Sequence, residues 1–162
     1  MWKWLWGNPI GQVIMTVLIS MVPVIELRGA IPIATANGMN FWIAIFVSIL
    51  GNLIPVPFII IFVKKIFAWL RRISPKLDHV VSKLENRAEK KAKTVRKYAF
   101  WGLFLLVAIP LPGTGAWTGA LVAAILDMPM KKAFPAIALG VVGAAVIVSF
   151  VTFGVGTLFW GS

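Results

Sequence analysis

The sequence contains no cysteine, a single histidine and only five acidic residues among 162 positions. Without cysteine there are no disulfide bonds and no thiolate metal sites. So few carboxylates also leave little from which to build a structural metal centre. Charged residues of both signs make up 13% of the chain, about half the share of a typical soluble domain. We therefore expect no metal and no cofactor, and we expect the chain not to be a soluble protein.

Long hydrophobic runs take the place of charge. Residues 4–25, 29–63, 98–126 and 133–162 contain no Lys, Arg, Asp or Glu, and about 20 apolar residues suffice to cross the hydrocarbon core of a membrane. The composition predicts an all-α integral membrane protein that crosses the plasma or inner membrane several times. The start of the chain, MWKWLWGN, has one Lys and no small-residue cleavage site, which argues against a cleaved signal peptide. The side on which the N-terminus lies stays open.

Positive charge is concentrated in one segment. Residues 64–97 hold twelve basic and three acidic residues, and the whole chain carries a net charge of +11. A basic segment between apolar runs is typical of a cytoplasmic loop. Its leucines and valines recur at helical spacing opposite the lysines, which predicts an amphipathic helix bound to anionic lipid head groups; the alternative is a solvated connector. This placement argues against nucleic acid as a partner.

The runs on either side of the basic segment resemble each other. GAIPIATANG at 29–38 aligns with GALVAAILDM at 119–128, and a proline-containing break precedes each. A turn and a long apolar segment follow each, as expected of internal repeats in transporters. We predict one membrane domain over 1–162, with a first repeat over 9–63 and a second over 98–157, joined by the basic helix.

The charges also predict opposite orientations for the two repeats. Lys131 and Lys132 lie on the cytoplasmic side only if the run 98–126 turns back within the membrane. Its arms, 98–111 and 116–126, are each too short to span. We therefore predict inverted repeats, each consisting of a re-entrant helical hairpin followed by a transmembrane helix. The hairpin tips are expected to meet near the middle of the membrane.

Glu26 and Arg28 are the only charged residues between positions 4 and 63, and both fall in the first break, PVIELRGAIP. Charged side chains inside a membrane usually mark a functional site. Arg28 offers the planar donor fork that suits phosphate or carboxylate, and Glu26 is a candidate proton carrier. The alternative is that the two residues pair with each other or cap the ends of broken helices.

The second break, PLPGTGAWTG, provides the other candidate substrate-binding residues. Glycines at 113 and 115 allow close approach to a ligand, and the helix that follows begins with free N–H groups suited to an anion. Hydroxyl groups add hydrogen bonds, and a tryptophan either lines the cavity or packs between the hairpins. These candidates are Gly113, Thr114, Gly115, Trp117 and Thr118.

No constellation typical of an enzyme is visible in the sequence. It has no Walker-type loop, no paired carboxylates and no Ser-His-Asp set, and the one histidine, His79, lies on the basic helix. We therefore name no catalytic residue and expect a protein without enzymatic activity.

PVIELRGAIPIA and PLPGTGAWTGALVA are similar to the signature segments of the small multidrug export protein family of bacterial and archaeal membranes, and the similarity covers nearly the whole chain. That family name implies export of small compounds. The architecture also resembles the DedA superfamily and other polyprenyl-phosphate transporters, which implies flipping of undecaprenyl phosphate. The chain differs from the DedA pattern because PLPGTGAW contains no second Arg.

These observations lead to a ranked expectation. The first is a transporter, or flippase, of an anionic amphiphile such as a polyprenyl-phosphate carrier lipid, with coupling to protons as an option. The second is proton-coupled export of small drugs, with Glu26 as the cation and proton site. The third is a membrane lipid phosphatase, although the His and Ser pattern of undecaprenyl-pyrophosphate phosphatases is not visible. Small-residue helix faces indicate a possible homodimer.

Overall fold

A computed structural model of the chain describes residues 6–73, 79, 82–83, 98–111 and 113–160. The elements in this part of the chain are all helices. We number them α1 (Pro9–Met21), α2 (Glu26–Ala36), α3 (Phe41–Leu53), α4 (Pro55–Ile73), α5 (Ala99–Ala108), α6 (Ala116–Ile125) and α7 (Met130–Trp160). The predicted all-α class is confirmed for these residues. Of the predicted amphipathic segment 64–97, residues 64–73 continue α4, residues 79 and 82–83 are also described, and the other residues lie outside the described part of the chain.

Two apolar segments in the described part of the chain are long enough to cross a membrane. They are Phe41–Val63 and Met130–Thr152, with 23 residues each. The other apolar helices, α1, α5 and α6, have 13, 10 and 10 residues. At 1.5 Å per residue they measure about 15–20 Å, which is less than the ~30 Å hydrocarbon core. None of these three helices crosses it alone.

The turn between α2 and α3 forms as the sequence predicts. Asn37 ends α2, Gly38 has a φ of +85°, and the Asn40 side chain accepts a hydrogen bond from Trp42 N at 3.0 Å. Asparagine is a preferred N-cap because its oxygen satisfies a free N–H of the first turn. The long apolar segment 41–63 is interrupted near Pro55, since α3 ends at Leu53 and α4 begins at Pro55.

Two predicted boundaries are wrong. Helix α2 already begins at Glu26 and continues through Pro32, so Glu26 and Arg28 lie on a helix and the first break covers only 22–25. Ala30, Ile31 and Ala34 on this helix are fully buried, and this packing holds the helix together although Pro32 lacks an N–H.

The second wrong boundary is at α7. The turn predicted after residues 119–128 is short, because α7 begins at Met130 and contains Lys131 and Lys132. Its first turn is closed by the Pro129 carbonyl, which accepts from the N–H groups of Lys132 and Ala133 at 2.8 and 3.0 Å.

Glycine allows close packing in both halves. A Cβ at Gly51 of α3 would overlap the Ser20 hydroxyl of α1, and a Cβ at Gly140 of α7 would lie 2.9 Å from the Phe104 carbonyl of α5. Ala136 and Ala144, on the same face as Gly140, are buried within this chain. The small-residue face of α7 therefore packs internally and offers no surface to a second copy. The homodimer stays a prediction.

Candidate functional site

The start of α2, directly after the first break in the helices, contacts the second break. The first, 22–25, joins α1 to α2, and the second, 109–115, joins α5 to α6. Four hydrogen bonds link Glu26 and Arg28, at the start of α2, to the second break and the first turn of α6. The prediction that the two segments face each other is confirmed.

Arg28 lies against the second break. Its Nη1 donates to the Leu111 carbonyl, and its Nη2 donates to the Ile109 carbonyl at 3.4 Å and to Thr114 Oγ1 at 3.0 Å. The guanidinium thus covers the carbonyl groups at the C-terminal end of α5, where a cation is favoured by the helix dipole. Arg28 Nε is buried and has no hydrogen-bond partner.

Thr114 organises the loop that receives Arg28. Its Oγ1 lies 2.8 Å from both the Ile109 and the Leu111 carbonyls, and it accepts from Leu111 N at 3.2 Å. The hydroxyl therefore fixes the same two carbonyls that the guanidinium contacts. The loop and Arg28 form one hydrogen-bonded unit.

Glu26 makes the complementary contact with α6. Its Oε1 accepts from Trp117 N at 3.3 Å, and its side chain is only 4% exposed. A carboxylate near a helix N-terminus is stabilised by the free N–H groups and by the dipole. The anion position that the sequence predicts for a ligand at the start of α6 is therefore taken by the protein's own Glu26.

The backbone at this contact is unusual on both sides. Glu26 has a φ of +50°, a region that non-glycine residues rarely adopt, and Gly115 opposite has a φ of +140° and a ψ of −168°. A Cβ at Gly115 would lie 2.6 Å from the Glu26 carboxyl carbon. Only glycine combines this conformation with this closeness.

The remaining predicted site residues lie around this contact. Trp117 Nε1 donates to the Met21 carbonyl at the end of α1 at 3.0 Å, and Thr118 Oγ1 donates to the Gly113 carbonyl at 2.9 Å. Gly113 has a φ of +79° and open space where a Cβ would stand. Glycine is therefore needed there for conformation and not for close approach.

The structure agrees with part of the alternative given for Glu26 and Arg28. They do not bond to each other but to helix ends of the other half: Arg28 to the carbonyl end of α5 and Glu26 to the N–H end of α6. Glu26 satisfies an N–H that the start of a helix leaves free, whereas the Ile109 and Leu111 carbonyls that Arg28 contacts also accept from Leu111 N and Thr114 N. A substrate that binds here must displace these hydrogen bonds or bind to a donor that has no partner in the protein.

Sequence reasoning missed the backbone partners at this site, the carbonyls of Met21, Ile109 and Leu111. Every residue carries a carbonyl, so composition gives no signal for them. The prolines at 110 and 112 are the nearest signal, since each removes an N–H from the segment. No group of three or more His, Cys, Asp or Glu residues that could hold a metal occurs among the residues described.

Comparison with known proteins gives one match. A family model described as "Putative small multi-drug export protein" matches residues 26–147, which include Glu26, Arg28 and the whole second break. No curated protein and no solved structure matches the chain.

Proposed function

Because the chain belongs to the small multi-drug export protein family, we propose that it is a multi-pass transporter of the plasma or inner membrane and not an enzyme. The family and the two long apolar segments support a membrane location. The multi-pass arrangement is our proposal, with α1–α2 and α5–α6 as re-entrant hairpins of inverted repeats. The short lengths of these helices and the contact between their breaks support it. Broken backbone is stable at membrane depth where other protein segments surround it.

We propose an anionic amphiphile as the substrate, with a phosphate head group as in a polyprenyl-phosphate carrier lipid. The observation that carries this proposal is the state of Arg28. Two of its nitrogens are held by the second break, and its Nε is enclosed without an acceptor, so a head group reaches Nε when the second break moves away from it. An oxygen of a phosphate or carboxylate is the acceptor that such a donor prefers. The apolar part of the molecule would remain among the apolar helix faces.

Reconstituted vesicles can test the role of Arg28. Arg28→Lys keeps the positive charge but loses the fork of donors, so we expect it to slow movement of a phosphate-headed amphiphile by at least about tenfold, the equivalent of one lost charge-assisted hydrogen bond. Ser149→Ala, which removes a hydroxyl on α7 that bonds only to the Ala145 carbonyl, serves as the control and should retain most activity. Full activity in Arg28→Lys would refute the anion-binding role.

Proton-coupled export of small cationic compounds is the second candidate, and the family description favours it. The buried carboxylate of Glu26, which bonds to the N–H of Trp117 and not to a cationic side chain, is the structural feature in its support. In this case Arg28→Ala should preserve or increase drug export, whereas Glu26→Gln should abolish it. The two variants therefore give opposite results for the two substrate classes. A Glu26→Gln protein that transports both classes normally would remove Glu26 from the mechanism.

A further inference from the structure

A second buried polar pair lies away from the contact of the two breaks. Ser48 and Asn52 are one helical turn apart on α3, with exposed fractions of 0% and 1%. Neither Ser48 Oγ nor Asn52 Oδ1 has a hydrogen-bond partner. The buried hydroxyls on α1 behave differently, since those of Thr16 and Ser20 donate to carbonyls of their own helix. Because an enclosed polar atom without a partner is destabilising, two on one face indicate a place for a ligand.

The backbone beside this pair is also rich in acceptors. Pro55 and Pro57 follow α3, and proline has no N–H, so the carbonyls of Gly51 and Leu53 lose their regular helical donors. The C-terminal end of a helix carries partial negative charge in addition. The end of α3 therefore has several side-chain and backbone oxygens but few hydrogen-bond donors.

This combination selects the class of ligand. Oxygens from a hydroxyl, an amide and a carbonyl carry no formal charge, whereas sites for divalent ions include carboxylates. Unwound carbonyls and helix C-terminal ends are the groups with which membrane transporters coordinate Na⁺. We propose that Asn52 Oδ1 and Ser48 Oγ, the two unpartnered oxygens one turn apart on α3, form a binding site for a monovalent cation, Na⁺.

The site lies at the depth of Glu26. The turn 37–40 joins α2 to α3. Glu26 lies ten residues from the end of α2 that meets this turn, and Asn52 lies eleven residues from the end of α3 that meets it. With 1.5 Å per residue in antiparallel helices, the two residues lie at the same level to within about 2 Å. Use of this Na⁺ for coupling rests on the proposed transport function, but its binding does not.

Thermal unfolding of the purified full-length protein tests the site directly. Replacing choline chloride by NaCl at equal ionic strength should raise the unfolding temperature by about 3 °C, since a ligand that binds only the folded state stabilises it. KCl should have a smaller effect. Titration of NaCl into the protein in a calorimeter should give a saturable heat.

Two variants should remove this response. Ser48→Ala and Asn52→Leu are expected to lose both the Na⁺-dependent rise and the heat. In choline chloride they should unfold at or above the wild-type temperature, because each replaces an unpartnered polar group by an apolar one. Ser149→Ala on α7, whose hydroxyl donates to the Ala145 carbonyl at 2.6 Å, is the matched control and should retain the full response.

Three results would overturn the proposal: a wild-type protein that does not respond to Na⁺, variants that still respond, or variants that are less stable than wild type in choline chloride. The last would identify the pair as a structural contact between helices. Arg28→Lys should bind Na⁺ as the wild type does. A loss of transport in Arg28→Lys with Na⁺ binding intact therefore distinguishes a failure at the substrate site from a failure at the cation site.

Discussion

Gly115→Ala probes the contact between the two breaks at its tightest point. Gly115 has backbone angles essentially restricted to glycine, and an added Cβ would lie 2.6 Å from the Glu26 carboxyl carbon. The substitution thus strains the backbone and also displaces the carboxylate from the start of α6. Gly113→Ala is the matched control, because Gly113 has a φ of +79° but open space around the added carbon.

The two effects have separate magnitudes. A non-glycine residue in such a backbone region costs about 1–3 kcal/mol, and loss of a hydrogen bond to a charged group costs about 1.5–3 kcal/mol. We therefore expect Gly115→Ala to lower the free energy of unfolding by about 3–6 kcal/mol and Gly113→Ala by about 1–2 kcal/mol. At about 2–4 °C per kcal/mol, the unfolding temperature of Gly115→Ala should fall by roughly 12 °C.

A double-mutant cycle with Glu26→Ala isolates the contact. Once the carboxylate is absent, Gly115→Ala should lose only the backbone contribution, so the coupling between positions 26 and 115 should be about 1.5–3 kcal/mol. Thermal unfolding of the four proteins, in detergent and in lipid nanodiscs, measures it. The close contact would be refuted if Gly115→Ala lowered the free energy of unfolding equally with and without the Glu26 side chain. A Gly115→Ala protein as stable as the Gly113→Ala protein would refute it as well.

Three further predictions concern other parts of the molecule. Trp117→Phe removes the bond from Nε1 to the end of α1 and should lower stability by about 1 kcal/mol, measured by thermal unfolding; an unchanged stability would show that this bond contributes nothing. Gly51→Ala would press a Cβ against α1 and should destabilise the protein by about 1–3 kcal/mol. Gly102→Ala, with open space around its added carbon, should stabilise the protein slightly. A Gly51→Ala protein more stable than the Gly102→Ala protein would contradict the packing of α3 against α1. Cysteines introduced at Ser82 and Met130 should react with membrane-impermeant reagents only from the cytoplasmic side, and labelling of position 130 from outside would refute the inverted repeat.

The sequence predicts the helical class and the location of the site because both depend on strong local signals. Long uncharged runs indicate membrane helices, and isolated charges within such a run indicate an unusual environment. Glu26, Arg28 and the Gly-Thr-Gly segment were therefore recognisable, and the structure brings them together.

The partners of these residues were not predictable in the same way. The sequence left open whether Glu26 and Arg28 bond to each other, to a ligand or to helix ends, because the answer depends on the relative position of two segments about 90 residues apart in the chain. Helix α2 also continues through Pro32, since packing of Ala30 and Ala34 outweighs the local cost of proline. Ser48 and Asn52 gave no signal, because two small polar residues in an apolar helix are common in membrane proteins.

In the proposed mechanism Arg28 Nε is the donor that a phosphate head group meets, and NMR of the Arg28 Nε–H tests this directly. With the resonance assigned by its disappearance in Arg28→Lys, titration with a phosphate-headed amphiphile should shift it downfield to saturation, as expected for a new charge-assisted hydrogen bond. The uncharged alcohol with the same apolar chain should leave it in place. An Nε–H resonance that does not move at saturating phosphate, or that moves equally with the alcohol, would contradict the proposed site.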